Sequence, residues 1–276
     1  MQQIFPYHIL VTLDRNYLNI LSVMLSSLSQ SDPQGDFTIY IANNSLLKED
    51  FDRLSAFLPD FHFVDVKIPA DFLQDAPISD RYPKEMYFRL FAARYLPENL
   101  DRILYLDPDL VVLNPLRQLY SVSFGENLFA AASHIESFSF AALNRYRLHL
   151  PEEAHYINSG VMMMNLKLLR KEQKEMEVFE FINSHKYSLL LPDQDVLNAL
   201  YCDKTILIDP LIYNLGEKYL NLHNRKLPKE KRLSLDWVRK NSCVIHYYGR
   251  NKPWKSSYHG ELGVFYQEFS EKLSQK

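Results

Sequence analysis

Strand-like segments alternate with helix-like segments over the first third of the chain, and this order is its most constraining feature. Residues 7–13 (YHILVTL), 36–44 (DFTIYIANN) and 61–68 (FHFVDVKI) are rich in the β-branched and aromatic residues of strands. Between them, residues 17–28 and 48–58 place apolar residues at the spacing of a helix face. Parallel strands joined by crossover helices satisfy such an order. We therefore predict an α/β fold with a mixed, mainly parallel central sheet flanked by helices.

Later segments continue the alternation with less regular spacing. A helix is predicted over 84–95, a strand over 103–107 and another strand over 127–133 (NLFAAAS). Residues 137–155 are polar and aromatic without a clear period, and we expect a loop with short helices over the site. Residues 155–173 predict a buried strand followed by a helix, with the Met run as core filling.

Two stretches near the C-terminal end have simpler interpretations. The basic residues 223–232 (HNRKLPKEKR) predict a solvated loop. Residues 260–276 have an amphipathic helical pattern, and their acidic residues favour packing on the core over contact with the inner face of a membrane.

Composition and charge narrow the classes of function. The 276 residues are 47% hydrophobic and 24% charged, which are ordinary values for a globular protein with a sizeable core. The formal net charge of −3 offers no general attraction to nucleic acid, so no DNA or RNA partner is expected. Cys202 and Cys243 fit neither a zinc spacing nor a disulfide framework. Because no signal peptide or long apolar run is visible, we expect a cytoplasmic protein.

The apolar segment Ile103–Leu113 (ILYLDPDLVVL) contains two carboxylates, Asp107 and Asp109. On a regular strand, residues i and i+2 point to the same face, so these two would project together and repel each other. Pro108 cannot donate to a central ladder, which predicts that the strand ends there. At the carboxyl edge of a parallel sheet, where Asp14 would also lie, a cation can neutralise the pair. Oxygen ligands of this kind suit Mg²⁺ or Mn²⁺.

Other interpretations of this pair stay open on the motif alone. D-x-D in a turn is often a solvated loop. The letters also match the aspartate-nucleophile phosphatases, whose first motif is a hydrophobic strand followed by D-x-D-x-T/V, with Val111 in the last position. A Ca²⁺ loop is excluded because the Asp and Gly positions of an EF-hand are missing.

A second acidic segment, Asp193-Gln194-Asp195, follows Pro192 and precedes the apolar pattern VLNALY, which is typical of a helix start. Carboxylates at a helix start favour the helix dipole and cap free N–H groups, so capping alone would explain Asp193. Gln194 is harder to explain by capping, and its amide oxygen is available to a reacting centre.

The segment Val244–Trp254 (VIHYYGRNKPW) begins as a strand and breaks at Gly249. A neutral imidazole at a strand end is a common ligand of divalent metals, and Lys252 beyond a glycine turn can reach a phosphate. A lone histidine is more often a satisfied core or surface residue. The glycine, the lysine and the following Pro-Trp favour a functional role for His246.

Taken in order from Val11 to Trp254, these segments resemble those of the family 8 glycosyltransferases, which are retaining enzymes of the GT-A fold, a Rossmann-like nucleotide-binding fold. Thr12 stands where the family usually has alanine, and Met86 stands where it usually has threonine. The resembling segments are TLDRNY, MYFRLF, LYLDPDLVV, INSGVMMMNL, DQDVLN and HYYGRNKPW.

The resemblance implies a role for individual residues. The implied ligands of Mn²⁺ or Mg²⁺ are Asp107, Asp109 and His246. The implied nucleotide-binding residues are Thr12, Asp14, Asn16, Tyr17, Arg89, Asp107, Gly249 and Lys252. The implied donor-sugar contacts are Arg89, Asn158, Gly160, Asp193 and Gln194, of which Asp193 and Gln194 are also the candidate catalytic residues.

The resemblance further implies an activity and a division of the chain. A hexose, glucose or galactose, would pass from a UDP-sugar to a hydroxyl of a glycan or glycoconjugate with retention at the anomeric carbon. The alternatives are a nucleotide-sugar-binding protein that does not transfer and, more remotely, the phosphatase. We expect one GT-A domain over 1–276, with a nucleotide-binding half at 1–114, a donor and acceptor half at 115–255 and a helical segment at 256–276.

Overall fold

The computed structural model describes residues 4–69, 71–72, 84–134 and 138–274, so the ends of two predicted segments, at 137 and at 275–276, lie outside the described residues. The strands are β1 Phe5–Thr12, β2 Gly35–Asn43, β3 Phe61–Lys67, β4 Ile103–Leu106, β5 Leu110–Val112, β6 Phe129–Ser133, β7 Ile157–Met164, β8 Thr205–Ile208 and β9 Val244–His246. The α-helices are α1 Leu18–Ser31, α2 Lys48–Phe57, α3 Ala92–Tyr95, α4 Arg117–Tyr120, α5 Phe138–Leu148, α6 Leu166–Glu172, α7 Glu175–His185, α8 Pro192–Tyr201, α9 Pro210–Tyr213, α10 Glu217–Arg225, α11 Leu235–Asn241 and α12 Gly263–Ser274. Short 3₁₀ helices span Arg15–Tyr17, Lys84–Phe91, Cys202–Lys204 and Lys229–Lys231.

Seven strands form the central sheet in the order β3-β2-β1-β4-β7-β6-β8. The pairs β1/β2, β2/β3, β1/β4 and β6/β8 are parallel, whereas β7 runs antiparallel to both β4 and β6. The predicted α/β fold with a mixed, mainly parallel sheet flanked by helices is confirmed.

Apolar side chains cover both faces of this sheet because strand residues alternate in direction. On β7, Met162 and Met164 enter one hydrophobic cluster, together with Leu10 of β1. Met163 enters the cluster on the other face, together with Ile9. The interpretation of the Met run as core filling is therefore confirmed.

A second, two-stranded sheet pairs β5 with β9 in antiparallel register, with Leu110 opposite His246 and Val112 opposite Val244. A third cluster, which includes Phe265 of α12 and Val238 of α11, packs against this pair. The predicted packing of the C-terminal helix on the core is confirmed, since Phe265 is 1% exposed. Over the described ranges, every helix is too short or too polar to cross a bilayer.

Three predicted elements differ from the observed ones. The helix expected over 84–95 is a 3₁₀ helix to Phe91 followed by α3, and its side chains are buried on several sides rather than on one stripe. The region 137–155 contains an eleven-residue helix, α5, which tertiary contacts to α8 hold in place. The first residues of the predicted loop at 223–232 belong to α10, which packs on the protein through the buried Leu220.

Candidate active site and metal centre

The site lies at the carboxyl edge of the sheet, where neighbouring parallel strands β1 and β4 end. Asp14 follows β1 and caps the short 3₁₀ helix Arg15–Tyr17, accepting a hydrogen bond at 2.7 Å from the backbone N–H of Asn16. Asp107 follows β4, and Pro108 ends the strand as predicted. Two parallel strands thus deliver acidic residues to one edge.

Asp107, Asp109 and His246 converge, with one ligand atom from each lying within 4.8 Å of the others. His246 Nε2 is 3.5 Å from Asp107 Oδ2 and 3.2 Å from Asp109 Oδ1. The pairing of β5 with β9 produces this meeting, and the N–H of Tyr247 donates to the backbone oxygen of Asp109 at 3.0 Å. Two carboxylates and one imidazole form the donor set.

Gly160 of β7 shows how closely this donor set is packed. Its carbonyl accepts from the N–H of Asp107 at 2.8 Å. A Cβ at this position would lie 2.1 Å from His246 Cε1 and 2.7 Å from Asp107 Oδ2. Glycine therefore leaves the space in which the ligand atoms converge. Hard oxygen donors with one imidazole suit Mn²⁺ or Mg²⁺, so these residues fit the ion that the sequence predicts.

The charges of the triad depend on one another. Burial raises the pKa of Asp107, but the Arg89 guanidinium and His246 outweigh it and hold that pKa well below its usual range. The pKa of Asp109 is also lowered, because Lys252 and His246 outweigh burial. Burial lowers the pKa of His246, yet the carboxylates of Asp109 and Asp107 raise it to about 9.

Arg89 forms ion pairs with both acidic segments. Its Nη1 is 3.0 Å from Asp107 Oδ1 and its Nε is 3.2 Å from Asp193 Oδ2. The guanidinium lies over the ring of Tyr105 at 4.3 Å and is 8% exposed. The Tyr105 hydroxyl donates to Asp107 Oδ1 at 2.7 Å, which completes the support of that carboxylate.

The second acidic segment lies in the first turn of α8, behind Pro192, as predicted. Ser159 donates its hydroxyl to Asp193 Oδ2 at 3.0 Å. Burial raises the pKa of Asp193, although Arg89 opposes this. Gln194 Oε1 accepts from Asn158 Nδ2 at 3.0 Å and from the Ser159 N–H at 3.3 Å. The amide oxygen that we expected to face a reacting centre is therefore turned into the protein by two donors.

Asp195 has a different environment from Asp193 and is 0% exposed. Arg147 of α5 binds its two oxygens at 2.7 and 2.8 Å. The hydroxyl of Tyr156 donates to it at 2.5 Å, and the N–H of Leu190 donates to it at 2.7 Å. Asp195 thus fixes α5 and the preceding loop to the start of α8.

The remaining predicted nucleotide contacts lie around the triad with different exposures. Thr12 is buried, with its hydroxyl 3.0 Å from that of Tyr105. The ring of Tyr17 packs edge-on against Trp254, and the charges of Lys252 and Asp109 act on its pKa, which burial raises. Among these residues Asn16 and Gly249 are exposed, and Gly249 adopts a φ of +89°, as its turn requires.

Lys252 follows that turn and reaches back to the triad. Its ammonium pairs with Asp109 and donates to the backbone oxygen of Tyr247 at 2.9 Å. The cation that we expected at a phosphate therefore lies directly beside one of the candidate metal ligands.

Several residues of the site had not been identified from the sequence. Tyr105 was detectable, since it stands two residues before Asp107 on the same strand face. Ser159 lay unremarked between the two predicted residues Asn158 and Gly160. No local pattern indicates the others, which act through contacts between distant segments: Arg147, Tyr156 and Asn214.

Comparison with known sequences and structures gives consistent results. The model of the family described as Glycosyl transferase family 8 matches residues 8–257. A lipopolysaccharide 1,2-glucosyltransferase of Escherichia coli is 27% identical over 250 residues, covering 88% of this chain and 71% of the relative. General stress protein A of Bacillus subtilis (strain 168) is 26% identical over 263 residues, covering 91% and 88%.

A solved structure of the galactosyltransferase LgtC, in complex with donor and acceptor sugar analogues, superimposes with a TM-score of 0.80. It is 20% identical, and the match covers 97% of this chain and 96% of that one. The likeness shows a shared GT-A fold.

Proposed function

Because the chain belongs to glycosyl transferase family 8, we propose that it transfers glucose or galactose from a UDP-sugar to a hydroxyl of a glycan or glycoconjugate, with retention at the anomeric carbon. The convergence of Asp107, Asp109 and His246 at the carboxyl edge of the sheet is the observation that carries this proposal. Relatives named for glucosyl and galactosyl transfer to lipopolysaccharide support the hexose and a cell-surface glycan as acceptor.

The donor diphosphate would bind against the triad and two neighbouring cations. Asp107, Asp109 and His246 would hold Mn²⁺ or Mg²⁺. The bound ion would supply electrostatic neutralisation of the charge that develops on the UDP leaving group. Arg89 is held by the carboxylates of Asp107 and Asp193, which orient a permanent positive charge at the sugar side of the site.

Lys252 and the segment after β1 would bind the nucleotide. The ammonium of Lys252 lies on a flexible stem after the Gly249 turn, so it can turn from Asp109 to a phosphate oxygen. The base and ribose would lie against Asp14, Asn16 and Tyr17, where the edge-on Trp254 supports the Tyr17 ring.

On the sugar side, Asp193 and the side chain of Gln194 would flank an oxocarbenium-like hexose, with the Gln194 amide oxygen directed away from the sugar by Asn158 and the Ser159 N–H. Asp193 Oδ2 is occupied by Arg89 and Ser159, and Asp195 is enclosed by its own partners. Burial and these partners restrict the approach of either carboxylate to a reacting carbon. We therefore favour attack of the acceptor on the face that UDP leaves, with the leaving phosphate accepting the acceptor's proton. A glycosyl adduct on Asp193 or Asp195 would refute this route.

The test is release of UDP from a panel of UDP-sugars, with water as acceptor, in Mn²⁺ and in EDTA. Wild type is compared with Asp109→Ala and with Asp101→Ala, an exposed aspartate just before β4 that serves as the matched control. We expect metal-dependent hydrolysis of one UDP-hexose, retained in Asp101→Ala and lost in Asp109→Ala.

Calorimetry with UDP in the same buffer separates the alternatives when no hydrolysis is seen. Binding of UDP that requires Mn²⁺, followed by transfer once candidate glycans are added, supports the proposal. Binding without transfer to any glycan supports the nucleotide-sugar-binding protein. No binding of UDP with or without Mn²⁺ overturns the proposal. The cytoplasmic location stays a prediction.

A further inference from the structure

A continuous chain of side-chain hydrogen bonds connects His246 to Gln194 beneath the site. His246 Nδ1 lies 2.9 Å from Asn214 Oδ1. Asn214 Nδ2 donates to Asn158 Oδ1 at 2.9 Å, and Asn158 Nδ2 donates to Gln194 Oε1 at 3.0 Å. The chain therefore links β9, the end of α9, β7 and α8, which are four separate elements around the site.

Two backbone N–H groups fix the direction of this chain. The N–H of Gly160 donates to Asn158 Oδ1 at 3.1 Å, and the N–H of Ser159 donates to Gln194 Oε1 at 3.3 Å. A backbone N–H can only donate, so the oxygen ends of both amides are set independently of their neighbours. Asn214 must then direct its NH₂ to Asn158 and its oxygen away from it.

This direction determines which nitrogen of His246 carries the hydrogen. Asn214 Oδ1 can only accept, so the facing Nδ1 of His246 donates. In a neutral imidazole the lone pair then belongs to Nε2, the atom that lies 3.2 Å from Asp109 Oδ1. The amide chain thus presents the metal-binding nitrogen to the two carboxylates.

Asn214 is held rigidly enough for this task. It is 0% exposed, its N–H donates to Pro210 at 3.3 Å, and its carbonyl bonds the ring of His134. The next residue, Leu215, exchanges backbone hydrogen bonds with Val244 at 3.0 Å and His246 at 2.8 Å. The side chain of Asn214 is thus fixed relative to β9, and its burial keeps it from touching a substrate.

We propose that Asn214 is a positioning residue that holds His246 in its Nδ1–H form and, through Asn158, orients the amide of Gln194. The inference rests on the proposed metal-dependent transfer for its functional consequence. The tautomer itself is a property of the protein without donor or metal.

Two substitutions separate the two ends of the chain. Asn214→Leu removes both the acceptor for His246 and the donor for Asn158. Asn214→Asp keeps an acceptor for His246 but directs a second oxygen at Asn158 Oδ1, which also accepts. Asn198→Leu is the matched control, because Asn198 is likewise 0% exposed and its side chain bonds the backbones of Ile157 and Gln194 rather than an amide side chain of the hydrogen-bond chain.

The first readout is the ¹⁵N spectrum of the histidine rings in metal-free protein, recorded at increasing pH until the His246 ring is observed in its neutral form. We expect the Nδ1–H form in wild type, Asn214→Asp and Asn198→Leu, and loss of that form in Asn214→Leu. An unchanged tautomer in Asn214→Leu overturns the inference whether or not the protein is a transferase.

The second readout is the Mn²⁺ affinity by calorimetry and the kinetics of UDP-sugar hydrolysis. We expect Asn214→Leu to weaken Mn²⁺ binding by about 10–100-fold, the usual effect of removing the partner of a ligating histidine. Asn214→Asp should keep the affinity within about threefold and lower kcat about tenfold with little change in KM. Equal weakening in Asn198→Leu would reduce Asn214 to a packing role.

The two readouts also distinguish the inference from the proposed function. A wild type that has the Nδ1–H tautomer, loses it in Asn214→Leu and yet binds neither Mn²⁺ nor UDP would overturn the transferase proposal and leave the tautomer assignment supported.

Discussion

Two segments of this protein share the D-x-D pattern but place their carboxylates differently. In Asp107-Pro108-Asp109 both carboxylates converge with His246 on one site. In Asp193-Gln194-Asp195 the first carboxylate faces Arg89 and the second is enclosed by Arg147. The backbone explains the difference: Asp107 and Asp109 lie in the short bend between β4 and β5, where β9 brings His246 to both, whereas residues i and i+2 of a helix diverge by about 200°. The same D-x-D spacing therefore leads to different contacts, depending on the local backbone conformation of each segment.

The largest expected effect on activity comes from replacing Asp109, a candidate metal ligand of the first D-x-D segment. Asp109→Asn removes an anionic ligand while relieving its repulsion with Asp107. We expect metal-dependent UDP release to fall on the order of 10³-fold, equivalent to several kcal/mol of lost charge stabilisation. The urea midpoint should also fall, because the lowered pKa of Asp109 means that its charge stabilises the fold through Lys252 and His246. Normal activity in this variant would remove the first segment from the mechanism.

Asp195 should show the reverse pattern. Asp195→Ala leaves the partly buried guanidinium of Arg147 without its carboxylate and frees two backbone N–H groups just before α8. We expect a loss of about 3–5 kcal/mol in the free energy of unfolding, measured with urea. The control is Asp203→Ala, an exposed aspartate just past the same helix. A loss below about 1 kcal/mol would contradict the structural role.

Metal binding at the first segment, through Asp107, Asp109 and His246, should depend on pH. Below the His246 pKa of about 9, a metal must displace the proton of that imidazole, whereas the carboxylates of Asp107 and Asp109 are already ionised. Mn²⁺ affinity should therefore rise about tenfold per pH unit from about 6.5 to 8.5 and level off above 9. Calorimetry in buffers of different ionisation enthalpy should count about one proton released per ion. A pH-independent affinity would contradict this linkage.

The smallest expected effects come from removing one hydroxyl partner of each carboxylate in the second segment, Asp193 and Asp195. Ser159→Ala removes the hydroxyl bound to Asp193, and Tyr156→Phe removes the hydroxyl bound to Asp195. Each should cost about 1 kcal/mol in the free energy of unfolding. Because the Ser159 hydrogen bond lowers the pKa of Asp193, only Ser159→Ala should move the acidic limb of the kcat profile to higher pH. Equal shifts in both variants would mean that the carboxylates act together.

The sequence predicted the elements and the three converging side chains of the candidate metal site better than the contacts between distant segments. β–α alternation was enough for the fold class, and Pro108 correctly placed Asp107 at a strand end. The 3₁₀ geometry that aims Arg89 was not predicted, since its helix is buried on several sides. The role of Asn214 depends on a contact with a residue 56 positions away, which no local period can reveal.

The β5–β9 pairing also sets the order in which this site can be completed during synthesis. Arg89 emerges before Asp107, so that carboxylate has its first counter-ion as soon as β4 forms. Asp109 waits for His246 and Lys252, which the ribosome adds roughly 140 residues later, about 7–30 s at ordinary elongation rates. Until then the nascent chain has an incompletely neutralised pair of carboxylates at the end of its central strand. Pairing of β9 with β5 is the step that completes the site.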